Sequence, residues 1–123
     1  MAQAHTGKTI IAFLNDLLFE TKIRSTGQAI GADLRIVRSI AELRSALAAA
    51  PAMLIIDLNN CGGQDAEAIT LAKSTTPAPR VIAYVSHVDH DLAQRASLAG
   101  ADEVMPRSRF TTVLPHLLQS ATE

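Results

Sequence analysis

Residues 52–60 read AMLIIDLNN: an apolar run that stops on an acid, with two amide side chains directly behind it. Residues 52–56 are apolar at both odd and even positions, which a half-exposed strand would not be. Such a run suits a strand covered on both faces, the situation in a parallel sheet flanked by helices. Two more segments share the pattern, 9–14 (TIIAFL) and 81–85 (VIAYV). Residues 34–37 (LRIV, broken by Arg35) and 103–105 are shorter or more polar, as strands near a sheet edge would be.

Between these runs the apolar spacing becomes helical. Phe19, Ile23, Thr26 and Ile30 share one face after the first run, and Ile40, Leu43 and Leu47 share one after the second. Ser39 followed by Glu42 forms a capping box. Asp65 and Asp89 are the expected caps of the third and fourth helices, and Gly100 stands where a left-handed residue would close the fourth. Leu114, Leu117, Leu118 and Ala121 give the fifth helix its stripe, with Thr111 or Thr112 expected as its cap so that Pro115 falls near its start. Parallel strands need helix-sized connections, so the expected architecture is an α/β, (βα)5 doubly wound five-stranded parallel sheet. With three central and two peripheral strands the simplest order is the flavodoxin-like 2-1-3-4-5, which places a site at the carboxyl ends of the strands.

Composition bounds the function. The 123 residues suit a single domain over 1–123 with a core at about 9–120, and 48% hydrophobic against 19% charged residues excludes disorder. A formal charge of −1 argues against nucleic acid as the main partner, because phosphate backbones are held by surplus cations. Apolar runs of about six residues fall far short of a membrane span, and the polar start at 1–8 lacks a signal-peptide core, so no membrane association and a cytoplasmic location are expected.

The polar residues gather where the strands end. Asn15 and Asp16 follow the first run, Asp57 and then Asn59 the third, Ser86 the fourth and Arg107 the fifth. This arrangement resembles the receiver domain of two-component response regulators, the CheY-like family, over about residues 9–120. The resemblance implies that Asp57 (in IIDLNN) is the phosphoacceptor, Ser86 (in YVSHVD) the hydroxyl that binds the phosphoryl group, and Arg107 (in GADEVMPRS) the basic residue. Asp16, Asp57 and the main-chain carbonyl of Asn59 would then hold Mg²⁺. The chemistry agrees, since a carboxylate attacking a phosphoryl group needs a hard cation and a basic side chain to neutralise charge.

Four positions depart from the family pattern. Asn15 replaces an acid and weakens the metal site; Arg107 replaces a lysine with a planar fork. Ser108 stands where a proline usually follows, so no cis peptide is expected there. Val104 replaces the aromatic switch residue. These departures mark a divergent or pseudo-receiver.

Other features read as structural. The HVDHD stretch (His87, Asp89, His90, Asp91) is a polar loop rather than a metal cluster, although the ring of His87 would crowd the pocket beside Ser86. Cys61 is a passive loop residue, and Gly62 and Gly63 form no nucleotide-binding pattern. The expected function is a non-enzymatic, stand-alone receiver-like signalling module acting in trans on a protein partner, a histidine kinase or a downstream signalling protein, through the fourth helix and its flanks (His90, Gln94, Arg95, Arg107). Two versions stay open: phosphorelay through Asp57, or a phosphorylation-independent interaction or assembly scaffold. A flavodoxin-like ligand binder is disfavoured by an aromatic content of only 3%.

Overall fold

The computed structural model describes residues 8–86 and 89–122. Strands and helices alternate in the order β1 (Thr9–Phe13), α1 (Leu17–Ile30), β2 (Asp33–Val37), α2 (Ile40–Leu47), β3 (Met53–Asp57), α3 (Asp65–Lys73), β4 (Arg80–Val85), α4 (His90–Ala99), β5 (Glu103–Pro106) and α5 (Arg107–Thr122). The sheet is parallel throughout and ordered β2-β1-β3-β4-β5. Strand boundaries lie within one residue of the apolar runs, because both faces of β1, β3 and β4 are covered.

Side-chain alternation divides the core in two. Ile11, Phe13, Leu54, Ile56, Val81, Ala83 and Val85 face α2, α3 and α4. Ile10, Ala12, Met53, Ile55, Ile82 and Tyr84 face α1 and α5. This parity decides the site: Asp57 follows Met53 and Ile55 on the α1/α5 side, and the register sets it beside Tyr84 on β4.

The helix ends follow local chemistry with three corrections. Ser39 accepts from the Glu42 N–H at 3.1 Å and Asp89 from the Leu92 N–H at 3.0 Å, while Gly100 closes α4 with φ 118°. Glu42 returns its carboxylate to the N–H of Arg38 rather than to that of Ser39. Asp65 is not a cap: α3 starts on it, Gln64 holds the cap position, and the buried Asp65 carboxylate is taken by Arg95 at 2.9 and 3.1 Å. A guanidinium offers two charged donors where a cap offers backbone amides, and the stronger pairing prevails.

The third correction concerns α5. It begins at Arg107, so neither Thr111 nor Thr112 is its cap and Pro115 lies well inside it. Both threonines instead turn their hydroxyls back to the carbonyls of Arg107 and Ser108. Pro115 cannot donate to the Thr111 carbonyl. The burial of Phe110, Leu114, Leu117 and Leu118 against the sheet keeps the helix continuous across it.

Candidate functional site at the carboxyl edge of the sheet

The ends of β1, β3, β4 and β5 bring the expected polar residues to one edge, where they are bonded into two groups. The first is built on Asp16. It caps α1, accepting the Phe19 N–H on Oδ1 at 3.1 Å, and receives Arg107 Nη2 on Oδ2 at 2.8 Å. Arg107 is the first residue of α5 rather than a loop residue, and its guanidinium carbon lies 4.0 Å over the Phe19 ring. Ion pair and ring stack fix the fork in one place. The Phe19 N–H first, and Arg107 second, hold the Asp16 carboxyl below its ordinary pKa.

The second group closes around Asp57, whose relative exposure is 0%. Its Oδ1 accepts the Asn59 N–H at 3.0 Å; its Oδ2 accepts Asn60 Nδ2 at 3.0 Å and the Tyr84 hydroxyl at 3.1 Å. A buried carboxylate needs such donors, since an uncompensated one would cost several kcal/mol. Tyr84 is itself 0% exposed; its ring stacks on Phe110, with centroids 4.4 Å apart, and meets the Phe19 ring at a tilt, with centroids 5.2 Å apart. Burial first, and the charge of Asp57 next, push the ionisation of its hydroxyl upward, so the phenol stays a donor.

The remaining residues stitch the loops together. Asn59 Oδ1 accepts the Ser86 N–H at 2.6 Å. Among the described residues no hydrogen bond joins the Ser86 hydroxyl to Asp57, and no ion pair joins Arg107 to Asp57. Asn15 Nδ2 donates to the carbonyls of Asn60 at 3.3 Å and Arg38 at 3.4 Å, and its own N–H to Asn60 at 2.8 Å. An aspartate at 15 would turn a carboxylate toward two carbonyl oxygens, so here the amide works as a donor. His87, which was expected to crowd Ser86, lies outside the described residues. Cys61 is buried, its thiol pushed up to about 11 by desolvation and then by the charge of Asp65.

Mg²⁺ was expected on Asp16, Asp57 and Asn59, and the residues as arranged do not fit it. Asp16 is engaged on both oxygens, one of them by a cation, and both oxygens of Asp57 carry donors. Among the described residues no three His, Cys, Asp or Glu side chains converge as metal ligands.

Tyr84, Asn60 and the pairing of Arg107 with Asp16 went unread in the sequence. The one available signal was parity: Tyr84 is the polar-tipped residue of β4 that, in a parallel register, falls opposite the last residue of β3.

No protein-family model and no curated protein sequence matches the chain. Solved structures do. A response regulator signal receiver domain from Bermanella marisrubri superposes with a TM-score of 0.79 at 17% identity, covering 95% of this chain and 99% of that one. A response regulator from Hahella chejuensis gives 0.79 at 16%, covering 93% and 94%. The phosphorylated cyanobacterial phytochrome response regulator RcpA gives 0.72 at 15%, covering 92% and 89%. Strand order and helix layers thus converge with these superpositions on one conclusion: the chain has the fold of response regulator receiver domains.

Proposed function

We propose that this chain is a receiver-fold signalling module that acts by contact with a partner protein, without enzymatic turnover, and that Asp57 serves it as an internal hydrogen-bond acceptor rather than as a phosphoryl acceptor. The observation that carries this reading is the closure of Asp57: no exposed surface, and three donors on two oxygens. For Asp57 to attack a phosphoryl group, an oxygen would have to shed its donors and meet the incoming phosphorus, with the Asn60 amide and the Tyr84 ring displaced. The basic residue that would neutralise the developing charge is engaged on Asp16.

The phosphorelay version keeps one observation on its side. Asp57, Ser86, Asp16 and Arg107 stand at one sheet edge, and one of the superposing regulators is described as phosphorylated. Incubation with a small phosphodonor and Mg²⁺, read by intact-protein mass for the wild type beside Asp57→Asn, separates the two. No Asp57-dependent gain of a phosphoryl group is expected; such a gain would retire the internal-acceptor reading and restore the relay. No helix among the described residues is long and apolar enough to cross a membrane, and the partner is taken to be a protein, a histidine kinase or a downstream component of a two-component pathway.

A further inference from the structure

We infer that Arg107 is the resident cation of this crevice and that it excludes Mg²⁺ from the carboxyl edge of the sheet. A divalent magnesium ion asks for about six oxygens in a near-octahedral shell at about 2.0–2.1 Å, and a protein normally anchors it through one or two carboxylates. The two carboxylates of the expected ligand set are Asp16 and Asp57; of their neighbours on this edge, Asp65 is held by Arg95 and Asp89 caps α4. Arg107 already occupies Asp16 Oδ2 at 2.8 Å, while Asp16 Oδ1 is spent on the N-terminus of α1.

The guanidinium is not free to step aside. It is the first residue of α5, its plane covers the Phe19 ring at 4.0 Å, and Phe19 packs on Tyr84 and on Phe110 at 5.9 Å. Moving it would undo the ring stack and the ion pair together. One cation beside these two carboxylates leaves the three groups a net charge of about −1 where the two acids alone would carry about −2, and a second cation would enter against the repulsion of the first. Asn15 works in the same direction, since its amide nitrogen is turned to carbonyl oxygens. Arg107 and Asn15, read separately in the sequence as weakening a metal site, are one substitution in charge terms: a fixed monovalent cation in place of an exchangeable divalent one.

This inference rests on the same closed crevice as the proposed function, yet it fails separately. The test is a MgCl2 titration at constant ionic strength, followed by amide shifts of residues 15–17, 57–60 and 107 and by the fluorescence of the one tyrosine, Tyr84. The wild type is expected to show no saturable change through millimolar Mg²⁺. Arg107→Met, which keeps the apolar stem over Phe19 and frees Asp16, is expected to acquire a saturable response, with an apparent Kd at least tenfold tighter than any bound set for the wild type. Arg107→Gln answers the same question should the Met variant fail to fold, with the same gain expected. Saturable binding by the wild type would overturn the inference, as would a folded Arg107 variant that gains nothing. Mg²⁺ binding by the wild type without phosphoryl transfer to Asp57 would leave the proposed function standing.

Discussion

Replacing Tyr84 with phenylalanine deletes one oxygen and leaves the packing alone, which makes it the cleanest probe of what holds Asp57 in place. The ring would keep its stack on Phe110 and its tilt against Phe19, so little apolar burial is lost. What disappears is a 3.1 Å hydrogen bond to a carboxylate with no exposed surface. Hydrogen bonds to charged groups contribute about 1.5–3 kcal/mol, and the benefit of no longer burying a hydroxyl offsets a few tenths, so the expected loss is about 1.5–2.5 kcal/mol. Unfolding entropy for a chain of this length is about 0.26 kcal/mol/K, which converts the loss to a fall in Tm of roughly 6–10 °C. Urea unfolding followed by far-ultraviolet circular dichroism measures it without relying on the residue removed. In an Asp57→Ala background the same change should cost under about 0.5 kcal/mol, since the hydroxyl there has lost its acceptor. A cost near zero in the wild type, or an equal cost in both backgrounds, would refute the bond between Tyr84 and Asp57.

Cys61 should be inert in the folded protein: with its thiol at about 11, the thiolate fraction at pH 8 is on the order of 0.1%, and labelling by a disulfide reagent should run at least ~100-fold slower in buffer than in urea. Pro115→Ala should stabilise α5 by about 1–2 kcal/mol in urea midpoints, as the restored N–H reaches the Thr111 carbonyl. Acid should weaken the fold. Asp16, and Asp102 through its Lys73 and Val81 N–H partners working against burial, have folded pKa values below their unfolded ones. Their contribution is therefore complete above about pH 4–5 and is lost as pH falls below about 3.9 and through the depressed values. Urea midpoints measured against pH should show that fall, with a shallower slope in Arg107→Gln.

Much of the architecture was legible because it is carried by short-range pattern. Continuous runs at 9–14, 52–56 and 81–85 announce strands covered on both sides, and Ser39, Asp89 and Gly100 act within one turn of their own helix ends. The gathering of Asp16, Asp57, Ser86 and Arg107 was legible for the same reason, since a parallel sheet sends every strand end to one edge. What those residues bond to was not. Arg107 meets Asp16 across 91 positions, and Tyr84 meets Asp57 only through the β3–β4 register, so neither contact leaves a local trace. Asp65 looked like a cap because its partner Arg95 lies 30 residues away. Pro115 misled about the start of α5 because intrinsic preference was outweighed by the burial of four large side chains.

The bond between Tyr84 and Asp57 can be watched directly, because the chain contains one tyrosine and no tryptophan. An exposed tyrosine titrates near pH 10 and is about nine-tenths ionised at pH 11. Burial and the adjacent carboxylate push Tyr84 the other way. In a spectrophotometric titration the tyrosinate band should therefore be absent at pH 11 for as long as circular dichroism reports the native fold, and should appear only with alkaline unfolding. A tyrosinate band rising around pH 10 in still-folded protein would contradict the sealed Asp57.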